Sequence, residues 1–244
     1  PRYLSSAASD VYKRQGADKN PNFPFSEFEG NSLSYQEANL LSNQLANKLV
    51  SEGLEVGDRF AFLAKNCTEM AIMYYAASKV GAVPVPLNYR LADQEWAYII
   101  NDSEAKLIIV KGNEYSDRIN QISSELKNVK KYISISLDNS IEKFQDFYDW
   151  LSDSSNEKPT LKIHENDDVY QMYTSGTTGH PKGAVLLQRN VAANIRQYLN
   201  SLTLPRPSRT LLVAPMYHAA AMINMCGCIA TVSYTHLTLP TTGI

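Results

Sequence analysis

The sequence predicts an α/β fold, doubly wound around a largely parallel sheet. Three observations carry that reading. Short β-prone runs alternate with helix-patterned runs at least three times, and strands separated by helices are parallel strands, since an antiparallel meander needs no helix between its members. The helical runs carry their own start and stop residues. The chain has 244 residues, 44% of them hydrophobic, which is enough apolar material for a packed core, and no internal repeat points to a solenoid.

Taken in order, "SYQEANLLSNQLANKLVSEG" opens with Ser34 and, three residues on, Glu37, a capping box. Leu41, Leu45 and Leu49 then recur every fourth residue until Gly53 stops the helix. "DRFAFLA" reads as a buried strand. Asn66 with Glu69 predicts the cap of a second helix, "CTEMAIMYYAASKVG", ending at Gly81. "AVPVPLN" is extended, and its two prolines exclude both a helix and a central strand. "DQEWAYIIND" predicts a helix, "AKLIIVKG" a buried strand, "YSDRINQISSEL" a polar-faced helix, "KKYISIS" a strand, and "IEKFQDFYDWLSD" a helix with aromatics on one side. "SDSSNEKPTLKIHENDD" lacks periodicity and predicts a surface connection.

Bulk properties exclude several functions. A net charge of −2 offers no basic field for a nucleic-acid backbone. No apolar run approaches the roughly 20 residues that cross a bilayer. The three cysteines, Cys67, Cys226 and Cys228, suit a reducing compartment, hence the cytoplasm, better than a disulfide framework. Cys226 and Cys228 flank one glycine, too close for the usual zinc pair, and no metal ligand is assigned. Both ends, residues 1–15 and 232–244, resemble translated sequencing-adapter read-through and are set aside, leaving 16–231 as the expected native body of a truncated chain. The LPTTG string at Leu239–Gly243 lacks the apolar span and basic tail that a sortase signal requires.

"YTSGTTGHPKG", Tyr173 to Gly183, carries the most chemistry. β-prone runs flank it, "DVYQMYT" before and "GAVLLQ" after, so the loop is expected to join two strands. Lys182 is followed by Gly183 rather than Ser or Thr, and by a strand rather than a helix, so this is not a Walker loop. Gly176 and Gly179 let backbone N–H groups approach a ligand, and Thr174, Ser175, Thr177 and Thr178 add hydroxyl donors. Lys182 adds a full positive charge. Hydrogen bonds to a charged group contribute about 1.5–3 kcal/mol each, so a few of them can hold a triphosphate. The same residues also suit a plain hairpin turn, and composition does not choose between the two.

The whole string resembles the phosphate-loop signature of the adenylate-forming superfamily: acyl-CoA synthetases, luciferases and peptide-synthetase adenylation domains. "LSYQEAN" (33–39), "ASKVGAVPVPLN" (77–88) and "APMYHAA" (214–220) resemble further blocks of that family in the same order, covering essentially all of 16–231. The resemblance implies an αβαβα-layered N-terminal large domain, cut about halfway. It implies ATP, Mg2+ and coenzyme A as cofactors and co-substrates, with a carboxylic acid activated as acyl-adenylate and then passed to the thiol. It assigns Thr174, Ser175, Gly176, Thr177, Thr178, Gly179 and Lys182 to ATP, and Tyr217 and His218 to the acid. "PMYHAAAMINM" has no acidic residue to pair with an α-ammonium, which favours a fatty or similar apolar acid, and Met216, Met222 and Met225 suit either an acyl-chain wall or plain core. An aryl or carnitine-type acid is the nearest alternative, and a non-catalytic α/β binding module the alternative of another class. The family's later blocks are absent, so no catalytic residue is assigned and the chain alone is expected to be inactive.

Overall fold

The computed structural model describes residues 17–18, 20–137, 141–174, 179–201, 208–231 and 234–236. Its centre is a five-stranded, all-parallel sheet of β3 (Arg59–Leu63), β4 (Val83–Pro86), β5 (Leu107–Lys111), β6 (Lys131–Ile135) and β7 (Phe144–Asp146), in the order β4-β3-β5-β6-β7. Four of these strands are residue runs rich in Val, Ile, Leu, Phe or Tyr, and burial on both faces is what such unalternating runs require. Alternate residues of β5 show the two faces: Leu107 and Ile109 enter one core cluster, Ile108 and Val110 the other.

Helices cover both sides. α1 (Tyr35–Ser51) and α2 (Thr68–Val80) pack with the first cluster, α3 (Asp93–Asp102) and α4 (Asn113–Ile122) with the second. The predicted capping box opens α1: the Ser34 hydroxyl accepts from the Glu37 amide at 3.2 Å, and the Glu37 carboxylate accepts from the Ser34 amide at 2.8 Å. Leu45 and Leu49 are fully buried beneath it. The connection from 152 to 167 runs along the outside of α1, where Asn43, Gln44 and Asn47 donate side-chain amides to the carbonyls of Asn156, Leu151, Ser155 and Glu157.

β4 is an edge strand, as its prolines demand. Val83 and Leu87 donate to the carbonyls of Asp58 and Phe62 on the β3 side, so positions 84 and 86, which have no N–H, face outward. β8 (Asp168–Thr174) lies along that outward edge, yet no backbone hydrogen bond joins β4 to β8 among the described residues. β8 pairs instead with β9 (Lys182–Leu187) in a separate antiparallel hairpin, followed by α6 (Gln188–Ser201). A third sheet has the order β10-β11-β1-β2, from β10 (Arg209–Leu211), β11 (Tyr234–His236), β1 (Pro24–Phe28) and β2 (Asn31–Ser34). β11 falls within the terminal segment that the sequence reading sets aside. α7 (Ala219–Ala230) packs beside α6, where Gly227 lies so close to the Tyr198 ring that a Cβ would meet it at 2.3 Å.

Two expectations are corrected. Asn66 does not cap α2. Cys67 holds the N-cap position in extended conformation, without a side-chain cap bond, and Asn66 turns away to residues 214–216. A side-chain amide offers both a donor and an acceptor, and that loop's backbone presents one partner for each. The 141–153 run is only partly helical: Phe144–Asp146 pairs with β6, and Asp146 then accepts from the amides of Tyr148 and Asp149 to start a five-residue helix, α5 (Phe147–Leu151). An aspartate placed between two aromatics caps the helix later than the aromatic pattern alone suggests. As for the methionines, Met216, Met222 and Met225 are each 1% exposed and belong to the core.

Candidate functional site

Residues 175–178, hence Ser175, Gly176, Thr177 and Thr178, lie outside the described residues. The stems on either side are described and form a hairpin, as the flanking β-prone runs predict. The pairing runs from Asp168 opposite Leu187 to Thr174 opposite Lys182, the last pair before the loop. Thr174, Gly179 and Lys182 are all exposed. Gly179 has φ +153°, a backbone setting that favours glycine, and among the described residues nothing lies within 4 Å of where a Cβ would stand. Lys182 has no carboxylate within ion-pair distance among the described residues.

Below the loop, a polar chain ties the hairpin to the parallel domain. Arg59, at the start of β3, bonds Asp168 at 2.9 Å and donates to the side-chain Oε1 of Gln171 at 3.1 Å. Gln171 donates its amide to the Tyr173 hydroxyl at 3.0 Å, and Tyr173 donates to Asp102, the last residue of α3, at 2.6 Å. Each group uses its donor on one side and its acceptor on the other, so the chain runs in one direction from cation to carboxylate. Burial, and next the bond to Asp102, raise the Tyr173 phenol above its ordinary pKa. One turn back on α3, Tyr98 stacks on His180, with ring centroids 4.5 Å apart and planes 17° apart.

Gly183 closes the motif for a packing reason. A Cβ there would stand 2.6 Å from Gln171 Nε2 and 2.9 Å from Tyr173 Cζ. The phenol crosses directly over this glycine on its way to Asp102.

The second group of predicted residues sits just before α7. Asn66 lies beyond the carboxyl end of β3, beside β5, where the winding of the sheet reverses; in open α/β sheets that end holds ligands. It donates to the Ala214 carbonyl at 3.0 Å and accepts from the Met216 amide at 2.7 Å, while Tyr74 donates to the Met216 carbonyl at 3.0 Å. These bonds fix the loop that presents Tyr217 and His218. Tyr217 is half-buried and meets Tyr89 edge to face, centroids 5.4 Å apart. His218 is exposed and caps α7, its Nδ1 accepting from the Ala220 amide at 3.3 Å. An accepting Nδ1 leaves the ring proton on Nε2, which is then a donor.

No hydrogen bond or ring contact among the described residues directly joins Thr174, Gly179 or Lys182 to Tyr217 or His218. The two groups meet through one stretch of chain, 88–102: Tyr89 touches Tyr217, while Tyr98 and Asp102 touch the stems. Sequence reasoning names none of Tyr89, Tyr98 and Asp102. The available signal was the spacing of Tyr98 and Asp102, four apart and so on one face of a helix.

Comparison with known proteins bears on the family and the fold. The model of the AMP-binding enzyme family matches residues 13–241. A long-chain-fatty-acid–CoA ligase, FadD13, of Mycobacterium tuberculosis is 33% identical over 195 residues, 79% of this chain and 37% of the relative. A feruloyl-CoA synthase of an Amycolatopsis species is 30% identical over 197 residues, 81% of this chain and 37% of the relative. The chain thus spans less than two-fifths of the length of these curated relatives. Among solved structures, the inhibitor-bound N-terminal domain of FACL13 from Mycobacterium tuberculosis superposes with a TM-score of 0.85 at 27% identity, over 98% of this chain and 59% of that one. The layered α/β fold, the hairpin that carries the loop string and the family match over residues 13–241 place this chain in the AMP-binding enzyme family.

Proposed function

We propose that this chain forms the nucleotide-gripping part of an ATP-dependent acid–CoA ligase, which activates a fatty or similar apolar carboxylic acid as its adenylate and hands the acyl group to coenzyme A. The observation that carries the reading is Lys182. It stands exposed on the first residue of β9, opposite Thr174 and three residues after an open Gly179, with no carboxylate paired to it among the described residues. A cation held on a strand and left uncommitted suits an anion. Thr174, Ser175, Gly176, Thr177, Thr178, Gly179 and Lys182 are the proposed ATP contacts, and the exposure of Thr174, Gly179 and Lys182 supports the reading. Mg2+ arrives with the nucleotide as its counter-ion, and no protein ligand is assigned to it.

The difficulty of such a step is two anions meeting, so the protein's contribution is position and positive charge. Lys182 lowers the repulsion. Tyr217 and His218 are the proposed acid contacts, His218 offering its Nε2–H as a donor. Charge also bears on the acid class: no carboxylate lies within 214–225, so an uncharged acyl group is favoured over an amino acid. The names of the relatives above accord with that choice. The edge-to-face pair of Tyr89 and Tyr217 favours a second reading, an aryl acid, and the feruloyl-CoA synthase is a relative of that kind. The three cysteines are buried and form no disulfide, which supports a reducing, cytoplasmic setting.

Calorimetric titration of ATP with Mg2+ tests the reading. Lys182→Ala is expected to weaken binding by about ten- to a hundredfold, the equivalent of one charged hydrogen bond of about 1.5–3 kcal/mol. Equal affinity for both chains rejects the reading and favours a binding module whose hairpin is only a turn. Pyrophosphate release over a panel of fatty, aryl and amino acids, by an enzyme carrying this chain, separates the acid classes.

A further inference from the structure

α3 contacts both stems of the loop, and it does so with side chains that its own helix does not require. Tyr98 is half-buried and lies over the exposed His180 ring at 4.5 Å, nearly parallel. Asp102, the last residue of the helix, takes the Tyr173 hydroxyl at 2.6 Å and stands 3.5 Å from the Tyr98 hydroxyl. Tyr173 immediately precedes Thr174, and His180 lies two residues before Lys182. One helix therefore holds the incoming strand and the outgoing strand at the point where each meets the loop.

The surroundings explain why these contacts matter. β4 presents prolines to β8, and among the described residues no backbone ladder continues from the parallel sheet into the hairpin. A hairpin with no ladder to its neighbour has its register and tilt set by side chains. Buried Val169, Tyr170 and Met172 pack β8 into the core, with Tyr170 edge to face against Tyr74, and among the described residues four further contacts join the hairpin to β3 and α3: Arg59 to Asp168, Arg59 to Gln171, Tyr173 to Asp102, and His180 to Tyr98. The first two act at the start and the middle of β8. Of these four, the last two act nearest the loop.

We propose that Tyr98 and Asp102 are positioning residues for the loop, fixing its two stems so that Thr174, Gly179 and Lys182 face a nucleotide's phosphates in one arrangement. This rests on the triphosphate reading above. Neither residue touches the ligand. They act through Tyr173 and His180, and the same stretch of chain carries Tyr89 against Tyr217, so α3 and the turn before it align the phosphate side with the acid side.

The test compares Tyr98→Ala, Tyr98→Phe and Asp102→Asn with the parent chain. Phenylalanine keeps the stacked face and alanine removes it. The His180 ring protons, resolvable in a chain with four histidines, are expected to lose their upfield ring-current shift in Tyr98→Ala and keep it in Tyr98→Phe. Amide exchange at Thr174 and Lys182 is expected to quicken by about three- to tenfold in Tyr98→Ala and in Asp102→Asn, and to stay at the parent rate in Tyr98→Phe. ATP affinity is expected to fall by a similar factor in the same two variants, with the amide exchange of β3 and β5 unchanged. Stem exchange unaltered in Tyr98→Ala and Asp102→Asn overturns the positioning role, whatever the nucleotide does. Faster stem exchange with unchanged ATP affinity overturns it too. Absence of ATP binding by the parent chain overturns the triphosphate reading instead, while the exchange and ring-shift measurements still report on the anchor.

Discussion

A glycine, an asparagine and a histidine show how individual residues shape this site through the parts of the chain they leave room for, hold or cap. Gly183 leaves the gap through which the Tyr173 phenol reaches Asp102. Gly183→Ala is expected to push that ring aside and destabilise the chain by about 1–3 kcal/mol, seen as a lower urea midpoint at unchanged slope. Asn66 holds Ala214 and Met216 from 148 and 150 residues away in sequence. Nothing near Asn66 announces that role, because its partners are backbone atoms that any residue at 214 and 216 would supply. Its position just before a helical pattern suggests a cap instead, and only the fold shows otherwise. His218 was legible as a special residue through the string around it, but its work as the cap of α7 depends on where the helix begins.

Among elements, those with local punctuation were readable. The capping box of α1 forms as its spacing implies, and the Ser34 amide, then the Ser34 hydroxyl, hold the Glu37 carboxyl below its usual pKa. Ser34→Ala is expected to cost about 1 kcal/mol of stability by urea denaturation, with a loss no larger than that of one orphaned helix terminus. The two prolines likewise place β4 at an edge. By contrast, β7 was read as helix, because its three residues gain a strand partner only once β6 is in place beside them. α3 shows the same limit. Its boundaries were plain from Asp93 to Asp102, while its attachment to the hairpin depends on strands some 70 residues later in the chain.

Across the whole molecule, ion pairs stitch the parallel sheet to its helices and loops at both ends. At the carboxyl end of β5, Lys111 holds Glu69 of α2 at 2.8 Å; near the opposite end, Lys106 holds Asp58 at 2.6 Å. Burial disfavours both carboxylates, but Lys111 outweighs it at Glu69, and the Glu55 amide with Lys106 outweighs it at Asp58, so both pKa values lie below the ordinary range. A lowered carboxylate pKa contributes stability above the unfolded value, about 4, that is lost as pH falls through the folded one. The urea midpoint is therefore expected to fall below about pH 4, and Glu69→Gln is expected to flatten that fall while lowering stability at pH 7 by about 1.5–3 kcal/mol. A fall equally steep in the variant shows that Glu69 contributes little to it.

The proline edge has one more consequence. Where strands are zipped, the amides of a whole run act together and no single side chain governs the joint. Pro84 and Pro86 prevent that zipping beside β8, so the seam between the two plates is riveted side chain by side chain. Evolution, or an experimenter, can therefore loosen the hairpin in graded steps at the seam while every ladder on either side of it stays whole.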